Sequence, residues 1–126
     1  MLLLISCVEK HGPMDKLKAF EYELSKSGKV DLKNYLSQKA IDNFEIKNDI
    51  VGTSKIKKIN FVYNNCHNET CSFTYDVSYL IKSNNLETEM DVRKQAVLKN
   101  NDGDNWLIDE IEIIKTYINN KKIISI

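Results

Sequence analysis

The chain has 126 residues, enough to bury a real core as one domain. Apolar residues at 42 % and charged residues at 29 % are ordinary for a globular protein, and 18 basic side chains against 18 acidic leave no overall field to draw in nucleic acid or an anionic membrane. A single proline and four glycines argue against disordered linkers, and no internal repeat or low-complexity segment breaks the chain.

The first segment is apolar through Met1-Leu2-Leu3-Leu4-Ile5, passes to Ser6-Cys7, and turns polar at Glu9 and Lys10. Small Ser6 lets a peptidase reach the bond before Cys7, Leu4 and Ile5 suit apolar subsites, and the Cys7 thiol alone can take a thioether-linked diacylglycerol. Leu4 to Cys7 resembles the lipoprotein signal of bacteria. The resemblance implies an exported protein, anchored to membrane by lipid at Cys7 on the periplasmic or surface side of the envelope. A full signal has a basic n-region and an apolar stretch of about 7–15 residues. Six residues precede Cys7 and none is basic, so either the true start lies upstream or the likeness is chance. The alternative is an ordinary apolar N-terminus with a buried or free thiol, in a cytoplasmic protein. The run is far shorter than the ~20 residues that span a bilayer. On the lipoprotein reading, residues 1–13 are truncated signal and tether, and residues 14–126 are the folded domain.

His11-Gly12-Pro13 separates tether from domain, and Pro13 suits a first helical turn. Met14, Leu17, Phe20 and Leu24 recur at three- and four-residue spacing, one face of an amphipathic helix that Ser27-Gly28 ends. A second helix is expected from Asp31 as N-cap, with Leu32, Tyr35, Leu36 and Ala40 on its apolar side. Ile41 and Phe44 continue the pattern less regularly, and Lys47 to Thr53 reads as loop.

The remainder reads as strands. From Ser54 to Asn64, Ile59, Phe61 and Tyr63 share a face, while Lys55, Lys57 and Lys58 make a solvated one. Cys66 and Cys71 follow, with four residues between them in Cys66-His67-Asn68-Glu69-Thr70-Cys71, which is a natural hairpin loop length. Cysteines facing each other across a hairpin can meet the distance limits of a disulfide, and disulfides persist in oxidising compartments. Two readings compete with the disulfide. A metal held by both thiols and His67 lacks a fourth ligand, since the only other histidine is His11, and two unpaired thiols are the second rival.

In the next strand Phe73, Tyr75, Val77, Tyr79 and Ile81 alternate with Ser72, Thr74, Asp76 and Ser78. In the third, Leu86, Thr88, Met90, Val92, Ala96 and Leu98 face one way and Glu87, Glu89, Asp91, Arg93 and Gln95 the other. This period of two means one face buried and one wet, as in an antiparallel sheet. Asn100-Asn101-Asp102-Gly103-Asp104 is a turn, and a fourth strand starts at Trp106. There the alternation slips. Trp106 and Ile108 share one phase, Ile111 and Ile113 the other, and an extra residue near Asp109-Glu110 restores the pattern as a β-bulge. The tail Lys121 to Ile126 either extends this strand or forms a short further one.

The fold class is therefore α+β, two N-terminal helices on a curved, bulged antiparallel sheet of about four strands. The order, and above all a turn leading into Trp106-Leu107-Ile108 and then Ile111, resembles the nuclear transport factor 2-like superfamily, a cone of sheet wrapped around a helix. Cystatin-like domains are the nearest alternative, and two helices ahead of the sheet favour the first. The resemblance implies a ligand site at the open end of the cone, with Phe20, Tyr75, Tyr79, Met90, Val92 and Trp106 as candidate lining. The same residues would otherwise simply fill the core. It also implies homodimers through the outer sheet face, against which the charged face of the third strand argues.

Such folds host both enzymes and binding modules, so fold does not decide function. An enzyme needs an acid or base inside the cone. Asp76 falls on the outer phase, Asp109 and Glu110 sit at the expected bulge where one could turn inward, and His11 and His67 lie outside the sheet interior. There is no nucleophile triad, glycine-rich phosphate loop or catalytic motif, so no cofactor or metal is assigned. The reading is a non-catalytic exported lipoprotein domain that binds a small hydrophobic ligand or a protein partner at the envelope. Its alternative is a small isomerase- or dehydratase-like enzyme with its site inside the curved sheet. A third reading is a cytosolic dimer with reduced Cys66 and Cys71.

Overall fold

A computed structural model describes residues 12–27, 31–44, 54–83, 85–102 and 105–123. The candidate lipidation site Cys7, His11, the Gly28 helix stop, the loop from Lys47 to Thr53, Gly103 of the last turn and the tail after Ile123 lie outside them.

The described chain is α+β. Helix α1 (Pro13–Ser27) and a short helix α2 (Gln38–Asn43) precede four strands, β1 (Ser54–His67), β2 (Thr70–Ser83), β3 (Leu86–Asp102) and β4 (Asn105–Ile123). The strands form one antiparallel sheet in the order β1-β2-β3-β4, each pairing with its neighbour in sequence. This is the simplest path a chain of alternating segments and tight turns can take. No described helix is long and apolar enough to cross a membrane.

Helix α1 begins at the proline and buries Leu17, Phe20 and Leu24 completely. Those three meet Phe73, Tyr75, Val77 and Tyr79 of β2 and Val92, Ala96 and Leu98 of β3 in one core cluster. Phe20 also contacts the rings of Tyr35 and Phe44, each at 5.7 Å between centroids. The outer sheet face is polar. Arg93 forms two hydrogen bonds to Asp76, at 2.8 and 2.9 Å, and Lys57 reaches Glu89 at 2.7 Å. Asp76 thus points away from the core, where its phase put it.

The single second helix expected from Asp31 is in fact two pieces. Asp31 caps only the 3-10 turn Leu32–Asn34, and Ser37 starts α2, its side chain accepting from the Ala40 N–H at 3.2 Å. Between them the backbone leaves the helix to join the sheet. The Ile108 N–H donates to the Tyr35 carbonyl at 2.7 Å, and the Ser37 N–H donates to the Ile108 carbonyl at 2.9 Å. A buried strand edge that needs partners outcompetes the helical bonds those groups could have made.

Strand β1 holds a second departure. Its register shifts between Ile56 and Lys58 and again between Phe61 and Tyr63. The first shift keeps Ile56 and Ile59 on one face, opposite Tyr79 and Val77. The second, at Val62, moves Tyr63 off the face of Phe61, so Tyr63 pairs with Thr74 and is exposed. The bulge expected in β4 is present. Ile108 pairs with Leu98 and Glu110 with Val97, which leaves Asp109 as the extra residue and returns Ile111 to the face of Ile108, opposite Ala96. Beyond it β4 runs on to Ile123, extending the last strand.

Candidate functional site

The helix stripe of α1 contains one charge. Glu21 lies four residues after Leu17 and three before Leu24, so the helical period that buries both leucines buries Glu21 as well. On β3 the period of two does the same to Lys94, between Val92 and Ala96. Tyr75 and Tyr79 of β2 share this face, with Tyr75 directly opposite Lys94.

The four side chains meet. Lys94 Nζ donates to Glu21 Oε1 at 2.8 Å and Oε2 at 3.0 Å. The Tyr75 hydroxyl donates to Oε2 at 2.6 Å and the Tyr79 hydroxyl to Oε1 at 3.4 Å, while Lys94 Nζ also reaches the Tyr79 oxygen at 3.4 Å. All four residues are fully buried. Both carboxylate oxygens therefore have donors, and the ammonium faces its counter-charge directly. Desolvating two charges is expensive, and such a pair persists only when its geometry and extra hydrogen bonds repay that cost.

Chemically, a carboxylate flanked by two phenols is an acid–base constellation. Here its proton-accepting capacity is already taken by Lys94 and the tyrosines, and no solvent reaches it. The arrangement locks α1 onto β2 and β3 across long sequence separations.

A second carboxylate sits at the β4 bulge. Asp109 is nearly buried and does not enter the core cluster. Ser37 donates to its Oδ1 at 2.9 Å, and Lys39 and Lys99 stand 3.5 Å from Oδ2. Burial by itself would raise the Asp109 pKa, but the Ser37 hydroxyl and the two ammonium groups outweigh it and hold the carboxyl below its usual range. Glu110 faces outward and pairs with Lys39 at 3.2 Å.

Phe20, Tyr75, Tyr79 and Val92 are buried together in the core, while Met90 and Trp106 are half-buried at its margin. None of the six lines either of two cavities among the described residues. One is a hollow of about 120 Å³ between α2 and the bulge, lined by Lys39, Phe44, Asp109 and Ile111. The other is an open groove of about 510 Å³ where the end of α1 meets the start of β1, lined by Tyr22, Lys26, Ser54 and Ile56. Cys66 and Cys71 pair across the β1–β2 hairpin and form a disulfide, which takes both sulfurs from any metal and leaves His67 without the ligands the metal reading gave it. Asn68 turns that hairpin in the left-handed region, at φ 58°.

Sequence reasoning missed Glu21 and Lys94, although each lies in a buried phase. The signal was the charge itself, a Glu inside an apolar helical stripe and a Lys inside an apolar strand face.

The chain matches no protein-family model, no curated protein and no solved structure.

Proposed function

We propose that this chain is a non-catalytic module of the bacterial envelope, built on a nuclear transport factor 2-like cone and tethered by lipid at Cys7, that binds a small hydrophobic ligand or a protein partner. The observation that carries the non-catalytic reading is the state of Glu21. It is a carboxylate beside two tyrosines of the core, and it is fully buried and bound by Lys94. A general base must come within hydrogen-bond reach of a substrate proton, and Glu21 has no such approach. Apolar side chains are instead exposed along β4, at Ile113, Ile114, Tyr117 and Ile118. Clustered exposed apolar side chains suit a contact surface.

The export side of the proposal is supported by the Cys66–Cys71 disulfide, since such bonds persist in oxidising compartments such as the periplasm and cell surface. Intact mass of the chain from its native cell tests it. The expected result is a diacyl or triacyl adduct at Cys7 with the further loss of two hydrogens. An unmodified Cys7 with three free thiols overturns it and returns the cytosolic reading.

The enzyme reading has one observation on its side, the inward carboxylate between two tyrosines. Saturable binding of a hydrophobic ketone, lost in a folded Glu21→Gln variant, is the result that would favour it.

A further inference from the structure

The strand order makes β4 an edge, and its two ends are treated differently. At Ile108 the outward backbone groups are taken by Tyr35 and Ser37. Past the Asp109 bulge, the described residues give β4 no strand partner other than β3. That stretch carries four of the eight large apolar side chains that are exposed among the described residues, Ile113, Ile114, Tyr117 and Ile118, with relative exposures of 38, 48, 38 and 59 %.

These residues do not share a face. Ile113 and Ile118 pair with Lys94 and Met90, on the helix side of the sheet. Tyr117 pairs with Asp91 on the outer side, where the neighbouring positions are ion pairs such as Arg93–Asp76. A partner laid on either face would leave part of the apolar set in water. What they have in common is the edge, and a strand added beside β4 covers both sides of it at once.

The charge order of β4 selects the partner. Beyond the Asp109 bulge, Glu110 and Glu112 lie toward its start, and Lys115, Lys121 and Lys122 toward its end. Two copies of β4 laid antiparallel about a two-fold axis set acidic end against basic end twice over, whereas a parallel arrangement sets like against like. A net charge of zero adds no long-range repulsion between copies.

We infer that two copies of this chain pair antiparallel along β4 beyond the Asp109 bulge, joining their sheets into one, with Ile113 to Ile118 at the centre of the contact. The inference rests on the reading of β4 as the interaction surface and names its partner as a second copy.

Sedimentation equilibrium of the full oxidised chain at micromolar concentration is the test. The expected mass is twice 14.6 kDa. Ile118→Lys on one face and Tyr117→Lys on the other should each weaken association at least tenfold with the circular dichroism spectrum unchanged. Val62→Lys, at a site on the opposite edge strand whose exposure lies between those two, should leave it intact. A wild-type monomer overturns the inference. So does a dimer that survives both β4 variants, or one that only one of them disrupts, since that is a face contact. Fluorescence of an anilinonaphthalene sulfonate probe separates this failure from failure of the underlying reading. A monomer whose probe signal falls in Ile118→Lys keeps β4 as an interaction surface and loses only self-pairing, whereas a monomer with no such response loses both.

Discussion

Glu21 and Asp109 have similar partners and opposite circumstances. Glu21 faces one lysine ammonium and two tyrosine hydroxyls, and Asp109 faces two lysine ammonium groups and one serine hydroxyl. Glu21 meets a lysine that is itself fully buried, while the lysines at Asp109 are more than half exposed. The difference lies in which groups lost their water. At Glu21 both charges were desolvated, so their attraction and their dependence on each other are large. At Asp109 only the carboxylate was, and the lysines give up little by leaving it. The first cluster fixes how α1 sits on the sheet. The second fastens α2 to the β4 bulge and can be tuned by salt and pH.

The largest expected effect breaks the first cluster. Lys94→Met strands a buried Glu21 charge and should cost about 3–5 kcal/mol in urea unfolding. Adding Glu21→Leu should recover much of that loss, because no unpaired charge then remains buried. Additive losses in the double variant would mean that the pair is not coupled and would sink the comparison. Raising sodium chloride to about 1 M, where charges beyond a few ångströms are screened, should leave the wild-type contribution of this pair nearly unchanged.

Next in size is the hairpin disulfide, which serves as a yardstick between the two clusters. It closes a short loop, so Cys66→Ala should lower the stability of the oxidised protein by about 2 kcal/mol and leave the reduced protein nearly unchanged. Equal losses in both would mean that packing of the buried Cys71 region, not the bond, is what the substitution disturbs. Smaller again is Ser37→Ala, expected to cost about 1–2 kcal/mol. That side chain both caps α2 and donates to Asp109, so one deletion removes two bonds at once.

How much of this was legible in the sequence follows the same division. Periodicity read α1, the face alternation of β2 and β3, and the Asp109 bulge, because each is a local pattern imposed by a single buried face. The split of the second helix was not local. Asp31 and Ser37 are both good caps, and only the bridge from Leu36 to Ile108, far along the chain, decides that a helix ends between them. The Val62 bulge hid because Tyr63 is apolar enough to continue the pattern on paper and polar enough to be exposed in fact. Glu21 and Lys94 each betray their burial by phase, yet a charge is read as solvated until its partner is known. That partner lies 73 residues away.

Acid acts on the second cluster. The folded-state pKa of Asp109 is depressed, although burial alone would raise it, because Ser37, Lys99 and Lys39 together favour the ionised form. A carboxyl whose pKa is lower folded than unfolded stabilises the native state above its unfolded pKa, near 3.9 for a free Asp. That contribution is lost as pH falls through the folded value. Thermal melts between about pH 6 and pH 2 should therefore show an acid limb that is shallower in Asp109→Asn. Lys39→Ala should act in the same direction and less strongly, by relaxing the Asp109 pKa toward its free value. Lys39 is itself held above its usual pKa, first by its hydrogen bond to Glu110 and then by the Asp109 and Glu110 charges, so it stays cationic across that whole range. Salt should blunt this limb, since the lysines that create it are solvent-exposed. An acid limb unchanged in Asp109→Asn would place its origin in other carboxylates and leave the bulge cluster with a purely geometric role.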